Sequence, residues 1–128
     1  MPKPRPTRLA LLAGATLAAG AAVGVGSASS SPTAQSAATR TVNVGDIYFV
    51  RSGARNPTVN VRRNDTVRFR WVGDLPHNVR VQRGPERFSS GQPKTSGTYS
   101  RRVRRTGTYR LFCQVHGAGQ QSMTLRVR

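Results

Sequence analysis

From residue 40 to the C-terminus no stretch repeats apolar residues at helical spacing, whereas alternation of period two recurs again and again. In segment 65–72 (DTVRFRWV) Val67, Phe69 and Trp71 share one face, and Arg68 and Arg70 share the other. Successive strand residues point to opposite faces, so burying the apolar set forces the arginines into water. The same reasoning places Val79 and Val81 inward with Arg80 outward, and Met123, Leu125 and Val127 inward with Arg126 and Arg128 outward. Segments 41–50, 57–63, 65–72, 77–82, 97–103, 107–113 and 122–128 all read as strands. Between them lie turn-forming clusters at 51–57, 73–76, 83–85, 89–96, 106–107 and 117–119. About seven to eight short strands at this spacing predict an all-β, two-sheet sandwich.

The N-terminal segment has a different character. Residues 1–8 carry Lys3, Arg5 and Arg8 and no acid, and 9–25 is an unbroken run of apolar and small residues. With small residues at Gly26-Ser27-Ala28, residues 1–28 read as a secretory signal peptide. The 17-residue run is short and glycine-rich for a stable membrane span, so cleavage is expected rather than anchoring. Residues 29–40 read as a flexible Ser/Ala/Thr-rich linker, leaving 41–128 as one small domain. No Arg-Arg pair precedes the run and no Cys lies near its end, so neither a twin-arginine signal nor a lipid anchor is supported. The expected destination is the cell envelope, a periplasm, or the exterior, with no transmembrane span in the mature form.

The chain holds 21 basic and 4 acidic residues, a net charge of +17, and losing Lys3, Arg5 and Arg8 leaves +14. Such a field favours acidic proteins, anionic envelope polymers or nucleic acid as encounter partners. Single-strand binding needs aromatics and cations on one exposed face, but the pleat sets Phe69 and Trp71 opposite Arg68 and Arg70, which argues against nucleic acid. The acids Asp46, Asp65, Asp74 and Glu86 are scattered, with no carboxylate pair and no Ser/His/Asp set, so an enzyme is not expected. The run Arg101-Arg102-Val103-Arg104-Arg105 reads as a solvated strand end, with a docking patch as the alternative.

A secreted domain usually pairs its cysteines, but here there is one, Cys113. A free thiol in an oxidising compartment is a hazard unless something holds it. The chain's two histidines, His77 and His116, also fall at turns bounding strands. Cys113 and His116 can reach one metal from a single short loop while His77 arrives from a second, and a trigonal His2Cys set suits a blue-copper centre. Structural zinc sites normally carry two or more thiolates, and no acid lies between Cys113 and His116, so copper fits better than zinc.

Leu-Pro-His-Asn-Val at 75–79, preceded by Asn-Asp-Thr-Val at 64–67 and followed by Gly-Thr-Tyr-Arg-Leu-Phe-Cys at 107–113 and Gln-Val-His-Gly-Ala-Gly at 114–119, resembles the plastocyanin-like cupredoxins over residues 41–128. The resemblance implies a Greek-key β-sandwich and one copper ion held by His77, Cys113 and His116, cycling between Cu(I) and Cu(II) to carry electrons. It also implies that Asn78 ties the two ligand loops together near Gln114. His116 should open onto an apolar patch supplied by Leu75, Pro76, Gly117, Ala118 and Gly119. Family members usually place a Met shortly after the second histidine, but here Gly-Ala-Gly-Gln-Gln-Ser follows. Gln121 is therefore the expected axial ligand, ahead of Gln120 and Met123, with a three-coordinate site as the alternative. The expected role is a monomeric single-electron carrier meeting an acidic redox partner, the alternative being a protein that holds or delivers copper without a redox role.

Overall fold

The structure, a computed structural model, describes Gly20, Gly24 and residues 26–128; the apolar core of the expected signal segment lies almost wholly outside these. Among the described residues no helix is long and apolar enough to cross a membrane.

The described residues form nine strands in order: β1 (Thr39–Val44), β2 (Phe49–Arg51), β3 (Ala54–Arg55), β4 (Thr58–Val61), β5 (Thr66–Trp71), β6 (Arg80–Arg83), β7 (Thr98–Arg102), β8 (Gly107–Phe112) and β9 (Ser122–Val127). They form two sheets, ordered β3-β2-β1-β5-β7 and β4-β9-β8-β6. From β3 onward the chain crosses from sheet to sheet before each strand up to β8, as a Greek-key sandwich requires. β1 lies parallel to β5 and β4 parallel to β9, and the other pairings are antiparallel.

The alternation read from the sequence places the core correctly. Val42, Val44, Val67, Phe69 and Trp71 from the first sheet meet Val59, Val61, Val81, Tyr109, Leu111, Met123, Leu125 and Val127 from the second in one buried cluster. Arg68, Arg70, Arg126 and Arg128 are exposed.

The strand plan differs in several details. Segment 41–50 is not one strand, because after Val42 and Val44 the next inward position belongs to Asp46, which the core cannot accept. The chain turns instead, with Gly45 N donating to Tyr48 O at 3.0 Å, and β2 returns antiparallel to β1. Likewise the cluster at 51–57 is mostly a hairpin. Its turn is only Ser52-Gly53, with φ of 48° and 79°, the left-handed pair that a two-residue hairpin demands. The paired strand β1 also begins at Thr39, inside the segment read as linker.

Asp65 holds the end of the sandwich where β5 begins. Its carboxylate accepts from Ala38 N at 2.8 Å and Arg62 N at 2.9 Å, and these backbone donors hold its pKa below 3.8. Asp65→Ala leaves both donors without an acceptor and is expected to destabilise the domain by about 2–3 kcal/mol in a urea melt. A depressed folded pKa means the stabilisation is present above the unfolded value. Wild type should therefore lose this contribution as pH falls below about 3.8, and Asp65→Ala should lose little of it.

Candidate metal centre

The chain folds so that several strand ends meet away from Asp65. β1 and β5 run side by side and end at the pair Val44↔Trp71, while β8 ends and β9 begins at Phe112↔Ser122. Three connections leave these ends: 45–48, 72–79 and 113–121. They carry Asp46, His77 and the group Cys113, His116 and Gln121.

Cys113 N donates to Gln121 O at 3.0 Å, closing the neck of the third loop. Inside it, Gly117 N donates to Cys113 O at 2.9 Å and Gln121 N to Gly117 O at 3.1 Å. Gly117 sits at φ 80°, a conformation costly for residues with a Cβ, so two tight turns can follow one another and bring His116 back over Cys113. His77 is not in a regular strand, since pairing of β6 starts at Arg80. A single bridge fixes it, with His77 N donating to Lys94 O at 3.0 Å and Lys94 N to His77 O at 2.9 Å. The same carbonyl accepts Trp71 Nε1–H at 2.9 Å.

One donor atom from each of His77, Cys113 and His116 lies within 4.8 Å of the others. Cys113 Sγ is 3.7 Å from His77 Nδ1 and 4.0 Å from His116 Nδ1. A trigonal metal with bonds of about 2.3 Å to thiolate and about 2.0 Å to imidazole needs sulfur–nitrogen separations of about 3.7 Å, so the three donors are arranged to fit one ion. His77 and Cys113 are fully buried, and His116 is partly exposed.

Gln121 is also fully buried. Its Nε2 donates to Gly45 O at 2.8 Å, while its Oε1 has no hydrogen-bond partner among the described residues. A buried carbonyl oxygen left unpaired costs about 1–3 kcal/mol unless something coordinates it. Asn56 pins the chain on either side: its Nδ2 donates to Gln120 O at 2.8 Å and its Oδ1 accepts from Ser122 N at 3.3 Å. Gln120 itself is exposed, and Met123 is packed in the apolar core.

Asn78 bridges the two ligand loops as the sequence suggested. Its Oδ1 accepts from Gln114 N at 2.9 Å, and its Nδ2 donates to Gln114 Oε1 at 3.2 Å and to Gly91 O at 3.0 Å.

No protein-family model matches the chain, and no curated protein does. Solved structures match well. A Met-to-Gln variant of amicyanin in its Cu(I) form superposes with a TM-score of 0.57 at 22% identity, covering 70% of this chain and 82% of that one. The Cu(I) form of a Met-to-Ala variant of amicyanin gives 0.56 at 22% identity over 76% and 87%. This is the cupredoxin fold. A Cu-containing nitrite reductase from Thermus scotoductus shares it too, with a TM-score of 0.52 at 19% identity over 69% of this chain, although the match spans only 22% of the reductase.

On this cupredoxin frame the residues expected around the second histidine all reach the surface: Leu75 is 49% exposed, Pro76 and Gly119 are exposed, and Gly117 and Ala118 are half-buried. Val115, 50% exposed, adds an apolar side chain that the sequence reading did not include. Asp46 was missed altogether as a neighbour of the site. Its Oδ1 accepts from Leu75 N at 2.9 Å and lies 3.4 Å from His77 Nε2. The Leu75 hydrogen bond, foremost, holds its carboxyl below the usual range. The signal that could have found it was its position at the first broken beat of the alternation, where a polar residue replaces an inward apolar one.

Proposed function

We propose that the domain binds one copper ion through His77 Nδ1, Cys113 Sγ and His116 Nδ1, with Gln121 Oε1 as axial donor, and carries single electrons between partners in the cell envelope. The observation that carries this reading is the His77, Cys113 and His116 cluster, with its donor atoms within 4.8 Å and two of the three residues fully buried. Bound copper would supply a Cu(II)/Cu(I) couple. The protein's part is to hold the donors still, since rapid electron exchange requires that they move little between the two states. The backbone bonds at His77 and the neck of the 113–121 loop do this, and Asn78 locks one loop to the other. Burial of His77 and Cys113 keeps water off the thiolate, and partial exposure of His116 beside Val115 gives electrons a way in and out.

The same fold occurs within a nitrite reductase chain, so the fold alone does not assign carrier or enzyme. The scattered acids favour the carrier. The test is voltammetry of the copper-loaded protein together with copper release to a chelator. A reversible one-electron wave with release slower than electron exchange supports the carrier. An irreversible wave with rapid release would point to copper holding or delivery instead.

The basic surface suits an acidic partner. Electron exchange with one should slow as salt shortens the Debye length from about 30 Å at 0.01 M to about 8 Å at 0.15 M. Arg102 pairs with Thr66, the first residue of β5, whereas the site lies beyond its last, so the 101–105 run is remote from the metal centre. Arg101 is also engaged, 3.5 Å from Glu86 Oε1. Arg80, whose Nη1 donates to Gln114 Oε1 at 2.8 Å, stands next to the ligand loops. In stopped-flow measurements Arg80→Glu should therefore slow the encounter more than Arg104→Glu; equal effects would mean that only net charge matters.

A further inference from the structure

The imidazole of His77 is completely buried, and a buried ring N–H needs an acceptor. While Nδ1 faces Cys113 Sγ, the remaining nitrogen, Nε2, has one acceptor among the described residues, Asp46 Oδ1 at 3.4 Å. That carboxylate is seated by more than the ring. It is held by Leu75 N at 2.9 Å, two residues before His77. It also rests on the bare backbone of Gly73, where a Cβ would fall on Asp46 Oδ1 and 2.6 Å from Asp46 Cγ. The turn that delivers it also delivers Gly45 O to Gln121 Nε2, so one connection braces both the buried histidine and the residue proposed as axial donor.

From this arrangement we infer that Asp46 is a positioning residue for the metal centre: its carboxylate fixes the tautomer and orientation of His77 and raises the donor strength of Nδ1. A carboxylate on the far nitrogen of a ligating imidazole makes the near nitrogen a stronger base, and such partners are worth ten- to hundredfold in metal affinity. The more highly charged ion gains more from a stronger donor, so the interaction should favour Cu(II) over Cu(I) and hold the reduction potential down. The inference rests on the copper reading above only for its effect on potential; the tautomer is a property of the metal-free protein.

The experiment compares wild type, Asp46→Asn and Gly73→Ala. Asn keeps an oxygen for Leu75 N and for the ring N–H but removes the charge, whereas Ala at 73 leaves Asp46 in the chain and pushes its carboxylate away. In the metal-free wild type, nitrogen-15 NMR should show His77 protonated at Nε2. In the copper-loaded proteins both variants should raise the potential, with a tenfold loss of preference for Cu(II) read as about 59 mV. Unchanged melting of Asp46→Asn alongside its raised potential would separate tuning from structural support. His77 protonated at Nδ1 in wild type, or unchanged potentials in both folded variants, would overturn the inference. A wild type that takes up no copper would overturn the copper reading instead, and the tautomer would then decide the role of Asp46.

Discussion

Cys113→Ser is expected to abolish the intense colour of the Cu(II) protein while leaving the sandwich folded. Cys113 is the chain's only cysteine, and Met123 is packed in the core, so no other sulfur among the described residues can replace it beside the two imidazoles. A hydroxyl oxygen supplies no low-energy thiolate-to-copper charge transfer. It is also a poorer donor to a soft Cu(I) ion, so affinity should fall by more than the ten- to hundredfold typical of losing an outer partner. The fold should survive because what Cys113 gives the sandwich is its backbone N–H to Gln121 O, which serine retains. Its side chain is small and sits at the end of β8, so the packing cost should be about 1–2 kcal/mol, within the range of ordinary substitutions. Absorption spectra and thermal melts of the two proteins check both halves of the expectation.

The second large effect is expected at Gln121. Gln121 Oε1 is a buried side-chain oxygen with no hydrogen-bond partner among the described residues, and an oxygen donor favours Cu(II) over Cu(I) more than a thioether does. Gln121→Met should raise the reduction potential by at least about 59 mV, a tenfold change in preference for one electron, and change the visible spectrum. The substitution also removes the donor to Gly45 O, costing about 1 kcal/mol of stability. Met123→Ala is the contrasting variant. It should cost about 2–5 kcal/mol as a core truncation and leave potential and spectrum in place. If Gln121→Ala changed neither while Met123→Ala shifted both, the axial assignment would pass to Met123.

The parts of this architecture that follow a local rule were readable from the residues alone. Alternation placed Val67, Phe69 and Trp71 in the core because a pleated strand has only two faces, and the structure agrees. The motifs around His77 and Cys113 pointed to Asn78 reaching Gln114, and the hydrogen bond is there. What escaped depends on how distant segments dock. Asp46 looked like one of four scattered acids because its partner, Leu75 N, lies 29 residues away and is reached only once β1 and β5 pair in parallel. The pinning of Gln121 by Asn56 spans 66 residues to Ser122 and depends on a left-handed Asn, φ 46°, after a two-residue strand. The remoteness of the arginine run likewise needed the direction of β7. Composition gave its charge, and only the pairing with β5 gave its place.

Titration of the metal-free protein with Cu(II), followed by visible absorption, tests the copper assignment most directly. One equivalent should bring up an intense thiolate-to-copper band that saturates at a single ion per chain. Copper uptake with only a weak, pale-blue spectrum, or no uptake at all, would contradict a trigonal centre built from His77, Cys113 and His116.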